Sequence, residues 1–336
     1  MKKILSMVLC TTFIATASYA LPLEDAVESC RISSTGLLPD VPGGNVYSSK
    51  VLVQEMRLRF LQGDRKKFAS LYKLMKKRFQ SKLMLLYRSL DSSLMPIAWE
   101  SSVSTDLKAC TLLIDVGEKW DVKEYIDSGL KAASRIRRFN VYRDVLVDGA
   151  SWIERKSGIF EINDVSHVFK LKGIDTRALQ KLRSLSSEWE TVAQRSLGIL
   201  LAGCSGGEIR KEYNIDKRRY EQRADSELDG LWITANLIEG GLLPVHALEG
   251  VLKCLAEDPR YFTCGDAASL QAASLGFQIL NSTGHFALAQ SLKAAIEEDF
   301  ASESGLLCEP GKQPSIFDNL LWLSIREVWK GKGSIN

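Results

Sequence analysis

Residues 36–74 read GLLPDVPGGNVYSSKVLVQEMRLRFLQGDRKKFASLYKL. A loop rich in Gly and Pro feeds an apolar helix over 48–62, Gly63-Asp64 breaks it, and an amphipathic helix runs over 65–79. The same unit recurs along the chain: 104–116 with 122–136 across residues 117–121, then 176–184 with 188–201, 226–238 with 244–255, and 267–280 with 286–300. Pro244 suits a first helical turn. A short helix at 23–30 opens the series and one at 315–329 closes it. Recurring helical hairpins with long loops on one side predict a toroid of paired helices whose function sits on the loops.

Polarity separates the two members of each pair. First members, such as 50–61, 109–114 and 232–238, are apolar on most faces, whereas second members carry more Lys, Arg and Glu. Helices apolar all round are buried and those with a single stripe face water, so the contrast predicts an inner ring wrapped by an outer one. The expectation is an all-α, (α/α)6-type toroid forming one domain over residues 21–336, with the first helix packing beside the last. Strand-like alternation is scarce, and no linker or shift in composition divides the chain.

The first twenty residues read as an export signal: Lys2 and Lys3, an apolar run over 4–15 that contains Cys10, and Ser18-Tyr19-Ala20 as a small-x-small cleavage site. No later run is long and apolar enough to span a bilayer, so a soluble periplasmic or secreted protein is expected. A hydrophobic content of 45% supports a large core, and a net charge of +3 is too weak to argue for nucleic acid. The runs Arg65-Lys66-Lys67 and Lys76-Lys77-Arg78 fall on outer, solvated helix faces. The remaining cysteines are Cys30, Cys110, Cys204, Cys254, Cys264 and Cys308, and Cys254 with Cys264 is the most plausible local disulfide loop. Their spacing matches no zinc pattern and only His167, His246 and His285 accompany them, so no metal or other cofactor is expected.

Loops leading into the inner helices would line one mouth of the toroid. They carry Asp40, Glu100, Asp106, Asp164, Asp225, Glu227, Asp229, Glu309 and Asp318, together with Tyr47, Trp99, Trp152, Tyr213, Tyr220, Trp232 and Phe317. Carboxylates and flat aromatic rings are what a polysaccharide cleft needs, since one acid protonates the glycosidic oxygen and another activates water. Each Asp at an inner-helix start also fits an N-cap, and each Trp also fits a core. No nucleophile elbow, Walker loop or dinucleotide fingerprint competes, and Gly203-Cys204-Ser205-Gly206-Gly207 is a turn after a helix.

The order of these segments resembles the family-8 glycoside hydrolases, inverting endoglucanases that include the periplasmic cellulases of bacterial cellulose secretion. Three patches carry the likeness: Gly36–Asp40 through Val46–Lys50 to Gly63-Asp64 and Phe68; Trp99, Ser104-Thr105-Asp106 and residues 109–113 to Trp120; and Tyr220 through Asp225 to Asp229 and Trp232. The resemblance implies an inverting endo-β-glucanase on a β-linked, β-glucan-like polysaccharide, tied to exopolysaccharide or cellulose production and its secretion machinery. It implies Asp229 as the base for water and Asp106 as the group holding the sugar, with Asp40, Tyr47, Trp99, Trp152, Tyr220 and Trp232 against the glycan. It also places the family's proton-donating glutamate at Lys50, after Ser49, and replaces the following glycines by Val51 and Leu52, which would narrow the cleft floor. A lysine cation is a weak acid unless burial lowers its pKa strongly. Either another carboxylate such as Glu100 or Glu227 donates the proton, or the chain has lost hydrolysis and serves as a glycan-binding or protein-assembly factor.

Overall fold

A computed structural model describes residues 21–154, 160–163, 166–205, 209–223, 227–242, 245–264 and 268–330. The expected export signal, Asp164, Asp225 and Pro244 lie outside the described residues, as does the Glu227 side chain.

The apolar first members of the pairs become α2 (Ser49–Leu61), α4 (Val103–Trp120), α6 (Thr176–Leu185), α8 (Glu227–Glu239), α10 (Leu270–Ser282) and α12 (Ile316–Trp329). Each touches the next in that order, and α12 returns to α2, closing a ring. The more polar members wrap it: α3 (Arg65–Leu74) lies on α2, α5 (Lys123–Phe139) on α4, and α7 (Glu190–Gly203) on α6. Likewise α9 (Val245–Glu257) lies on α8, α11 (Phe286–Asp299) on α10, and α1 (Leu23–Ser29) on α12. The first helix therefore does pack beside the last, and the (α/α)6 arrangement is complete.

Local chemistry sets the ends of these helices. Asp175, Ser269 and Ser315 cap α6, α10 and α12 by accepting from the backbone amides of Ala178, Ala272 and Asp318. Gly63 ends α2 at a φ of +74°, a left-handed conformation that other residues adopt only with strain. At Gly129 a Cβ would stand 2.6 Å from the Cys110 carbonyl, so α5 approaches α4 at a distance only glycine permits. Between the rings Phe68 packs edge-on against Trp120, and within the inner ring Phe277 packs against Trp322, with centroids 5.3 and 5.1 Å apart. Rings buried to this extent each stabilise the fold by roughly 2–3 kcal/mol.

Several boundaries differ from the sequence expectation. α4 continues through residues 117–120, which read as a linker, and turns only at Asp121, which takes the left-handed conformation. The expected helix at 65–79 is α-helical to Leu74 and widens into a π-turn over Met75–Phe79. Cys264 keeps a free thiol that donates to Asp299, so the Cys254–Cys264 bridge is not formed. Strands are commoner than expected, all short and antiparallel. β1 (Tyr47–Ser48) pairs with β2 (Ser89–Leu90), β3 (Val141–Tyr142) with β4 (Val145–Leu146), and β5 (Trp152–Glu154) with β6 (Phe160–Ile162). β7 (Val168–Lys170), β8 (Arg210–Asn214) and β9 (Arg219–Arg223) form a three-stranded sheet. β7 runs into a 3-10 turn, Leu171–Gly173, that reaches the mouth of the ring.

Candidate functional site

The mouth holds a cleft of about 370 Å³. Lys50, Val53 and Gln54 face it from α2, and Ser102, Ser104, Thr105 and Lys108 from the start of α4. Leu228, Asp229 and Trp232 come from α8, Gln271 from α10 and Phe317 from α12. The loops add Arg88, Asp148, Lys170, Lys172 and Gly173. Val51 and Leu52 do not narrow this floor: both are buried in the hydrophobic core, and Val53 and Gln54 take their place.

Two aromatic rings, Trp232 and Phe317, lie side by side with centroids 6.5 Å apart and planes tilted by 34°. Each carries a lysine: Lys108 Nζ is 4.8 Å from the Trp232 centroid and Lys50 Nζ is 5.1 Å from that of Phe317. Trp232 Nε1 donates to Gln271 Oε1 at 3.1 Å, and Gln271 Nε2 donates to Asp318 Oδ1 at 2.8 Å. This chain of hydrogen bonds fixes the indole's tilt and holds Asp318 behind Lys50. Desolvation raises the Asp318 carboxyl above its ordinary pKa, with the Lys50 charge acting in the opposite sense. The two lining carboxylates are held by lysines, Asp229 by Lys172 at 2.8 Å and Asp148 by Lys170 at 2.5 Å.

Polar groups fill the ring's axis beneath the floor. Gln54 donates to Ser324 at 2.9 Å, Arg57 pairs with Glu239 at 3.0 Å, and Gln278 donates to the same Glu239 oxygen at 2.7 Å. Asp175 and Lys108 feel these charges; burial lowers the Lys108 pKa while Asp175 and Glu239 oppose that shift. Among the described residues no group of three or more His, Cys, Asp or Glu side chains is arranged to hold a metal ion.

The residues expected from sequence divide between this cleft and other places. Asp229 and Trp232 line it. Asp106 does not: on α4 the cleft-facing positions are Ser104, Thr105 and Lys108, and Asp106 points to the far side. There its Oδ1 accepts the Leu86 amide at 2.9 Å, its Oδ2 is buried without a partner, and desolvation pushes its carboxyl up to about 7. Glu100 pairs with Arg88 at 3.1 Å, outside the lining. Trp99 is 40% exposed beside it. Trp152 is buried, tilted against Tyr87 with centroids 5.6 Å apart, and Tyr47 is buried in the same core. Tyr220 donates to the Ile199 carbonyl and faces a separate cavity with Arg143, Arg195 and Tyr213. Asp40 accepts from the Ser48 amide and hydroxyl, bracing the turn before α2. Trp152, Tyr47, Tyr220 and Asp40 thus serve packing and turn geometry, because burial or local hydrogen bonding uses up the groups a sugar would need.

Sequence reasoning missed Lys108, Lys170, Lys172, Arg88 and Asp148. Lys108 left the clearest trace, as a cation between Leu107 and Ala109 in the apolar stretch of an inner helix.

No family model matches the chain, and no curated protein matches it in sequence. Solved structures do match it. An alpha-amylase from Clostridium perfringens superposes with a TM-score of 0.77 at 16% identity, covering 91% of this chain and 96% of its own. An endo-1,4-D-glucanase from Vibrio fischeri follows at a TM-score of 0.66 and 15% identity, covering 92% and 94%. Endoglucanase Cel10 from Klebsiella pneumoniae, a family 8 glycosyl hydrolase, gives 0.62 at 14% identity, covering 91% and 99%. The fold is that of the family-8 glycoside hydrolases. Among the described residues no helix is long and apolar enough to cross a membrane.

Proposed function

We propose that this glycosidase-like toroid binds a polysaccharide strand across its mouth and does not cut it. The observation that carries the reading is Lys50: the position where the family resemblance places the proton-donating glutamate holds a lysine, stacked on Phe317. Inversion needs a protonated carboxyl and an ionised one roughly 6.5–9.5 Å apart across the scissile bond. The described carboxylates that line the cleft are Asp148 and Asp229, and each has a lysine ammonium on it. The aspartate expected to hold the sugar turns away, leaving Ser104 and Thr105 in the cleft. Trp232 and Phe317 remain as apolar faces for sugar rings, and the structural neighbours named for endo-1,4-D-glucanase and alpha-amylase activity support a polysaccharide as the ligand. With the export signal, the protein would work in the periplasm or at the cell surface, alongside polysaccharide production or its secretion machinery.

One observation favours a second reading, in which hydrolysis persists with Asp318 as the acid. That carboxyl lies behind Lys50 and is raised by desolvation, as a proton donor requires. The two readings part in a reducing-end assay on soluble β-glucans, xylans and α-glucans, run beside calorimetric titration with oligosaccharides of each class. Binding without release of reducing ends is the expected result. Release abolished by either Asp229→Asn or Asp318→Asn would replace the binding reading with the hydrolytic one.

A further inference from the structure

The charge lining the cleft is out of proportion to the chain. Overall, 44 Lys and Arg balance 41 Asp and Glu. In the cleft, Lys50, Arg88, Lys108, Lys170 and Lys172 face only Asp148 and Asp229 among the described residues. Lys170, Lys172 and Arg88 have carboxylate partners, whereas Lys50 and Lys108 make no ion pair among the described residues. Asp318, behind Lys50, is committed to Gln271. A neutral sugar is gripped through hydroxyls that donate to carboxylates, yet both lining carboxylates here already hold a lysine. A neutral sugar stacking on Trp232 or Phe317 would also compete with the ammonium above that ring, an interaction worth about 0.5–2 kcal/mol. An oxyanion on the sugar would instead give each ammonium a charge-assisted partner at the edge of its ring. For Lys108, whose burial disfavours its charge, such a partner would offset the desolvation.

Resting on the glycan-binding reading above, we infer that the cleft takes an anionic polysaccharide, one whose sugars bear carboxylate or phosphate groups, with those groups seated at Lys50 and Lys108. Low-dielectric walls and one sign of charge concentrate the field there, so attraction to a polyanionic strand begins before contact.

The test is calorimetric titration of the full chain with a uronic-acid hexasaccharide, a phosphate-bearing oligosaccharide of similar length, and cellohexaose, at about 50 and 500 mM salt. At low salt one anionic ligand binds at least about tenfold tighter than cellohexaose, and high salt erases most of that margin. Which anionic ligand wins identifies carboxylate or phosphate as the group read. Lys50→Gln and Lys108→Gln each remove most of the margin, by weakening the binding of the anionic ligand. Cellohexaose binding as tightly as the anionic ligands overturns this inference while leaving glycan binding intact. Polyglutamate binding as tightly as the anionic sugars also overturns it, since the cleft would then read bare charge. Failure of every oligosaccharide to bind removes the glycan-binding reading itself.

Discussion

Where α1 crosses α2 and α3, Arg31, Arg59 and Lys67 meet Glu24, Glu28 and Glu55; at the mouth, Lys50 and Lys108 meet Phe317 and Trp232 instead. Arg31 and Glu55 are 2.5 Å apart, with only 1% of the Glu55 side chain exposed. Arg31 and Lys67 together hold the Glu28 carboxyl at about 2, against the desolvation that would raise it. Charges saturated in this way fix one element against another. Lys50 and Lys108, held over aromatic faces, make no ion pair among the described residues. The same residue types therefore build a joint at one end and an unfinished site at the other.

Breaking the joint gives the largest expected effect. Arg31→Met takes from the buried Glu55 its 2.5 Å partner and lowers unfolding free energy by about 3 kcal/mol in denaturant titration. Oligosaccharide affinity measured on the folded fraction stays unchanged. A loss of affinity equal to that of a cleft variant would erase the distinction between joint and site.

Next comes α4, which turns Lys108 to the mouth and Asp106 away from it. Because the folded carboxyl of Asp106 titrates near 7, above its ordinary 3.8, the folded state favours the protonated form. Its stability contribution is therefore full below about pH 4 and is lost as pH rises through about 7. Asp106→Asn flattens that profile, with a gain on the order of 4 kcal/mol at pH 8 relative to wild type. Thermal melts from pH 4 to 8 measure it, and a wild-type profile that rises toward pH 8 would contradict the buried, protonated placement.

Trp232→Ala removes packing against the core as well as a cleft ring, and on the folded fraction lowers oligosaccharide affinity about tenfold, or ~1.4 kcal/mol. Lys50→Glu has the smallest expected effect on catalysis. Reducing-end release stays at background, because Lys172 remains on Asp229 and Ser104 occupies the sugar-holding segment. Turnover restored by that one change would mean that Lys50 alone separates this cleft from a working enzyme.

The ring was legible because burial marks most of the helices: inner α4, α8, α10 and α12 are largely apolar and outer α3 and α5 are striped, whereas the α6–α7 pair reverses the pattern, the inner α6 carrying Arg177, Lys181 and Arg183. The sheet was not legible. β8 reads RKEYN, charged on both faces, and β9 reads RYEQR, with only Tyr220 and Gln222 on its uncharged face, so neither shows the apolar alternation that a half-buried strand displays. Within the site, Asp229 and Trp232 were readable because one turn of α8 carries both to the mouth. Asp106 was misplaced because the two faces of α4 differ by only a residue or two of register, which composition does not resolve. Trp152 and Tyr220 look like sugar platforms in sequence, since burial by neighbours distant in the chain leaves no local trace.

The contact of Arg57, Glu239 and Gln278 stoppers the ring at its centre. In the glycan-binding reading proposed above, that contact would bar a polymer from threading the ring like a bead on a string, and a strand would reach the mouth sideways, at any point along its contour, and leave the same way. Occupancy would then scale with polymer length and not with the number of chain ends, and many copies could line a single strand while it is still being made.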